Sequence, residues 1–140
     1  MQTITSITGL REQVHAWRRQ GEAIAFVPTM GNLHDGHLRL VDTARRQAGR
    51  VVVSSFVNPA QFGPGEDFAA YPRTPAEDAA QLLAAGADLL FMPAVAEMYP
   101  ETSVKPCFVE VPGLSDDLCG KFRPGHFRGV ATVVLKLFNQ

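Results

Sequence analysis

Apolar positions along the chain follow two different periods. In "TGLREQVHAWRRQ" (Thr8 to Gln20), Leu10, Val14 and Trp17 recur at steps of four and three, which predicts an amphipathic helix that Gly21 ends. "AIAFV" (Ala23 to Val27) and "VVVSSFV" (Val51 to Val57) are apolar with little alternation, as expected of strands covered on both faces of a parallel sheet. Between them a helix is expected from Gly36 or His37 to about Ala48. "TPAEDAAQLLAAGA" reads as a helix with Pro75 in its first turn and Gly86 near its end. "DLLFM" (Asp88 to Met92) then reads as a third buried strand. This alternation predicts an α/β domain with a parallel sheet and right-handed crossovers.

The stretch from Pro93 to Pro124 is rich in Pro and Gly and reads as a connection near the sheet's edge or mouth, with one strand expected at "CFVEV" (Cys107 to Val111). "HFRGVATVVLKLFNQ" is apolar at Phe127, Val130, Val134, Leu135, Leu137 and Phe138, and predicts a last helix that is apolar nearly all round. No repeat, low-complexity tract or linker is visible.

Composition narrows this picture. With 140 residues, 46% of them hydrophobic, one compact domain is expected. Its 13 basic residues nearly cancel 14 acidic ones, so it lacks the electrostatic footprint of a nucleic-acid-binding protein. No apolar run reaches the roughly 20 residues of a membrane span, and "MQTITSITGLREQ" lacks the basic start and apolar centre of a signal peptide. A soluble cytoplasmic protein is expected, with Cys107 and Cys119 reduced rather than bridged.

Candidate chemistry gathers in "VPTMGNLHDGHL", where the first buried strand breaks and a helix begins. In an open parallel sheet, ligands bind beyond the carboxyl ends of the strands. The entering helix offers unpaired N–H groups and the positive end of its dipole, both attractive to phosphate. Gly31 and Gly36 allow close approach of the backbone to a ligand. His34 and His37 point to nearly the same side, so both can reach one phosphate chain and stabilise charge building on phosphorus. Two bland readings stand beside this one: a zinc site, which needs a third and usually a fourth ligand, or a solvated, helix-capping pair. The loop is neither a Walker A motif nor a full G-x-G-x-x-G fingerprint.

"VPTMGNLHDGH", "SSFVNPAQFGPGEDFAAYPRT" and "RPGHFRGVATVVLKLFN", in that order, closely resemble the pantoate–β-alanine ligase (pantothenate synthetase) family over essentially the whole chain. "HDGH" alone is a weaker sign, because class I aminoacyl-tRNA synthetases and many nucleotidylyltransferases share its His-x-Gly-His form. The resemblance implies a Rossmann-like fold of the nucleotidylyltransferase type. It implies a two-step reaction: pantoate attacks the α-phosphate of ATP, releasing pyrophosphate, and the amine of β-alanine then displaces AMP from the pantoyl-adenylate. Met30, Gly31, Asn32, Leu33, His34, Asp35, Gly36 and His37 would lie along ATP, with His37 as proton donor, His34 on the phosphates, and Mg²⁺ accompanying the nucleotide. Gln61 would contact pantoate and β-alanine, with Asn58, Arg123 and His126 on the pocket wall and Tyr71 nearby. A homodimer is implied as well.

Several of these residues also have plain structural readings. Asn58-Pro59 is common turn chemistry, Tyr71 reads also as a simple packing residue, Arg123 reads equally as an exposed loop residue, and His126 as a helix cap. Some family members carry Glu where this chain has Cys119, so no role of that acid is transferred. His15 reads as solvated or partly packed, and Trp17 as core. Full-length relatives are about twice as long, with a Gly-Glu-Lys-Asp motif and a Ser-Ser-Arg-Asn segment beyond the matched region. The chain is therefore expected to be the amino-terminal, nucleotide-binding portion without the C-terminal domain, binding ATP weakly and turning over little by itself. The alternatives are another nucleotidyltransferase with the same signature, or an inactive binding module.

Overall fold

The computed structural model describes residues 1–63, 65–66, 68–100 and 107–140. Four parallel strands, β1 (Gln2–Ile4), β2 (Ile24–Thr29), β3 (Arg50–Ser55) and β4 (Leu89–Phe91), form one sheet in the order β1-β4-β3-β2. Its helices are α1 (Ile7–Arg19), α2 (Asp35–Gln47), α3 (Pro75–Ala85), the short α4 (Val95–Met98) and α5 (Cys119–Phe122), and α6 (His126–Phe138). The expected α/β architecture is present.

The unalternating apolar strands have two covered faces. In β3, Val52 joins a core with Leu10 and Val14 of α1 and Val133 and Leu137 of α6. Its neighbours Val51 and Val53 point the other way and pack with Val41 of α2 and Leu82 of α3. Successive strand residues face opposite sides, so a strand between two helical layers must be apolar at every position. β2 lies at the end of the strand order, where a proline at Pro28 is tolerated because the missing N–H breaks no ladder on the open side.

Helix limits follow local chemistry. Ser6 caps α1 by accepting from the Gly9 N–H, and the Ile7 N–H is taken by Glu97 of α4. α3 begins with Pro75, which needs no amide partner there, and ends at Gly86 in the left-handed region.

Two expectations are corrected. Cys107 to Val111 is not a strand: these residues have no ladder partner, and Phe108 and Val111 are exposed. Its anchor is a bond from the Val109 N–H to the Thr132 hydroxyl of α6, so the apolar letters mark a segment laid across a helix rather than one entering the sheet. β1, conversely, was not expected, because three residues are too few to show a period. The rest of the connection 93–124 lies partly outside the described residues.

Candidate active site

All four strands run in the same direction, so the turn after β2 and the segment after β3 meet at one mouth. The β2 turn is built from within. Thr29 Oγ1 donates to the Ser54 carbonyl over 2.7 Å and accepts from the Gly31 N–H. Gly31 and Asn32 are both left-handed, with φ of 78° and 51°. At Gly31 a Cβ would come within 2.7 Å of Ser55 Oγ and 3.0 Å of Asp78 Oδ2, and at Gly36 it would meet the His34 ring. The room the two glycines leave is filled by protein side chains rather than kept for a ligand.

His34 and His37 cap α2 reciprocally. His34 Nδ1 accepts from the Gly36 N–H at 3.1 Å, and His37 Nδ1 accepts from the His34 N–H at 3.4 Å. The rings lie 4.1 Å apart at 42°. A backbone N–H only donates, so each Nδ1 must be unprotonated, which leaves each neutral ring with its proton on Nε2. The capping reading is thus realised through one nitrogen of each ring, and the other nitrogen is left as a donor. Burial is the main force holding the His37 imidazolium below its usual range; nearby His34 adds to this and Asp78 opposes it.

Sequence reading missed Asp78. It lies four before Leu82 on the inner face of α3, 1% exposed, and its carboxylate accepts from the N–H groups of Asn32 (3.0 Å) and Leu33 (2.8 Å) and from the Thr74 hydroxyl (3.2 Å). An acid in register with a buried leucine was the available signal.

Gln61, at the end of a short 3-10 turn Pro59–Gln61, is 8% exposed. Its Nε2 points to Met30 Sδ at 3.0 Å. Asn58 is wholly buried: Nδ2 donates to Gln61 Oε1 and to the Gly129 carbonyl, and Oδ1 accepts from the Ala60 N–H and the Tyr99 hydroxyl. The turn reading of Asn58-Pro59 is realised, whereas Asn58 is not among the residues lining the cavity at Gln61; the turn it caps presents Gln61.

His37 and Gln61 line one cavity of about 270 Å³. Pro28, Met30, Phe56 and Tyr71 contribute to it, and α6 adds Val130, Val133, Val134 and Leu137. It is apolar over most of its wall, with an imidazole and a primary amide as convergent polar groups. Among the described residues no group of three or more His, Cys, Asp and Glu could hold a metal.

Arg123 and His126 stand behind Gln61 rather than among the residues lining that cavity. Arg123 grips Glu66 through Nε (2.5 Å) and Nη2 (2.7 Å), and His126 Nδ1 donates to the Gln61 carbonyl at 2.9 Å. Arg123 Nη1 lies 3.3 Å from His126 Nε2. Tyr71 packs edge-on against Phe62, and both cysteines are free and exposed.

Residues 2–140 match the family model described as pantoate-beta-alanine ligase. The chain belongs to this family. It is 63% identical over 139 residues to the pantothenate synthetase of Alteromonas mediterranea, covering 99% of this chain and 49% of that protein. To that of Methylococcus capsulatus it is 61% identical over 140 residues, covering 100% and 49%. Among solved structures, the pantothenate synthetase of Thermus thermophilus superposes with a TM-score of 0.89 at 53% identity, over 99% of this chain and 48% of that one. The pantoate–β-alanine ligase of Francisella tularensis, crystallised with beta-gamma ATP and beta-alanine, gives 0.86 at 38% identity, over 99% and 52%. The chain thus spans about half the length of the curated ligases it matches. Among its described residues no helix is long and apolar enough to cross a membrane.

Proposed function

We propose that residues 1–140 form a Rossmann-like domain that binds ATP and pantoate for the synthesis of pantothenate from pantoate and β-alanine through a pantoyl-adenylate. One observation carries the reading: His37 and Gln61, from the ends of two neighbouring strands, face a single apolar cavity. The hydrocarbon part of pantoate, a branched hydroxy acid, fits against Val130, Val133, Val134 and Leu137, and its polar end meets the Gln61 amide. Gln61 Oε1 is already engaged by Asn58, so Nε2 is the group that donates to substrate oxygen. Asn58 is a positioning residue for Gln61 rather than a contact. Arg123 and His126 act from behind the same residue, through its carbonyl.

In the first step a pantoate carboxylate oxygen attacks the α-phosphorus and the bond to pyrophosphate breaks. Negative charge grows on the phosphate oxygens, and the Nε2–H groups of His37, which lines the cavity, and of His34 beside it, with the first amides of α2, would stabilise it. His37, whose imidazolium is disfavoured by burial, would donate a hydrogen bond from its Nε2–H to the pyrophosphate, which departs as an anion. In the second step the β-alanine amine attacks the acyl carbon, AMP departs, and the amine loses a proton. Binding both reactants in one enclosure supplies much of the acceleration such transfers require.

The described residues do not form a site for a resident metal. Mg²⁺ would arrive on the phosphates of ATP, and no step is assigned to it. Membership of the family disfavours the other nucleotidyltransferases that share the signature. Homodimers and a cytoplasmic setting belong to the same reading.

Calorimetric titration of the chain with pantoate and with MgATP tests the binding, and pantoate-dependent exchange of label between pyrophosphate and ATP tests adenylate formation. Pantoate should bind and Gln61→Ala should weaken it about tenfold or more, the effect of one or two lost hydrogen bonds. ATP should bind weakly and turnover should be low. No heat with any of ATP, pantoate or β-alanine would leave an inactive module, and steady pantothenate production at the rate of a full-length relative would refute the weak-turnover expectation.

A further inference from the structure

We infer that Asp78 is the positioning residue of the histidine turn: by holding the backbone of Asn32 and Leu33 from the adjacent helix, its carboxylate sets the direction in which His34 and His37 present Nε2. This deepens the adenylation reading above and rests on it for its catalytic meaning.

The geometry is specific. A left-handed Gly31 followed by a left-handed Asn32 is a backbone that persists only when its surroundings fix it, and both amides that follow Gly31 end on Asp78. The Leu33 side chain is buried, so its N–H has no ready alternative in water. The next residue is His34, whose own N–H reaches His37 Nδ1 and whose ring caps Gly36. Release of Asn32 and Leu33 therefore frees the residue on which both imidazole bonds depend.

A second consideration is cost. Burying a carboxylate is expensive unless hydrogen bonds compensate; here the Thr74 hydroxyl at the start of α3 gives one and the other two come from the backbone of a different element, the loop beside the cavity. An apolar residue would serve the packing of α3 against Leu82's neighbours as well; it could not hold that loop. The charge also acts on His37 electrostatically, opposing the effects of burial and of His34 on that ring. Asp35, exposed on the first turn of α2, makes no such bonds to the loop backbone.

Long-range nitrogen-15 spectra of the histidines, recorded on the ligand-free chain near neutral pH, test this without substrate. A failure of adenylation leaves this result standing, and the reverse also holds. In the unsubstituted chain both rings should be Nε2–H tautomers. In Asp78→Asn, which keeps size but loses one acceptor, the ratio of Nε2–H to Nδ1–H at His37 should fall about fivefold or more, whereas Asp35→Asn should leave it unchanged. A folded Asp78→Asn with both tautomer ratios intact overturns the proposal. Should that variant not fold, hydrogen exchange on the unsubstituted chain decides: the Asn32 and Leu33 amides should exchange at least ~tenfold more slowly than free peptide amides, and free-peptide rates overturn it.

Discussion

Asn58 holds Gln61 by its amide oxygen, over 3.1 Å, and so fixes which end of the glutamine meets the cavity. Asn58→Ala would remove the partner of the buried Gln61 Oε1 and that of the partly buried Tyr99 hydroxyl. With these bonds lost and a cavity left where a wholly buried side chain stood, we expect a loss of about 1–3 kcal/mol. Urea unfolding of the two proteins measures it, and Gln61 should lose its fixed rotamer in the folded variant.

The close approach of α6 to the Pro59–Gln61 turn depends on Gly129. A Cβ there would lie 2.7 Å from Gln61 Cα and closer still to the Ala60 carbonyl. Both obstacles are backbone, so they cannot turn aside as a side chain can. Gly129→Ala should destabilise the chain by about 1–3 kcal/mol, the usual cost of overpacking, and should displace Gln61 from the cavity. Thermal unfolding reads the first effect and pantoate calorimetry the second.

The strands were legible because burial on two faces writes itself as continuous hydrophobicity. Val51, Val52 and Val53 need no tertiary knowledge to be read as a covered strand. Cys107 to Val111 carries similar letters with a different cause, since its anchor is the Thr132 hydroxyl. Short apolar runs do not distinguish the two. β1 was missed for the opposite reason: Gln2, Thr3 and Ile4 are held by pairing with Leu89, Leu90 and Phe91, a long-range contact with no local signature.

At the site, residues defined by a turn were readable and residues defined by a network were not. His34, Gly36 and His37 sit where a strand visibly becomes a helix. Asp78 acts on them from a helix remote in sequence, and Glu66 acts on Arg123 across a comparable separation. Such pairs are set by folding. Arg123 and His126 were read toward the ligand from the family resemblance, but their partners here are Glu66 and the Gln61 carbonyl.

The observed cap and the proposed phosphate contact of His34 can be separated by substitution. His34→Ala removes the cap on Gly36 and should cost about 0.5–1 kcal/mol of stability, as loss of an N-cap acceptor does. His34→Asn supplies another acceptor at the cap and should restore most of it. Neither variant carries an Nε2–H, so both should weaken ATP binding equally. Denaturant unfolding and ATP calorimetry run in parallel check the split.

Glu66 predicts how the loop over the cavity responds to acid. Its carboxyl is lowered from 4.5 to about 2, first by the hydrogen bond from Arg123 and then by the Gly63 N–H. A carboxylate whose folded value lies below its unfolded one stabilises the fold fully above the unfolded value, and the contribution fades as pH falls toward the folded one. The clasp joining Glu66 to Arg123 should thus be complete above pH 4.5 and lost as pH approaches about 2. Amide exchange at Gly63, whose N–H ends on Glu66, reports it directly. Relative to intrinsic rates, protection of that amide should decline across this window in the unsubstituted chain, and in Glu66→Gln it should be low and flat. Protection that stays high in the variant would assign the order of this loop to Phe62, Phe68 and Tyr71, which pack together beside it, rather than to the ion pair.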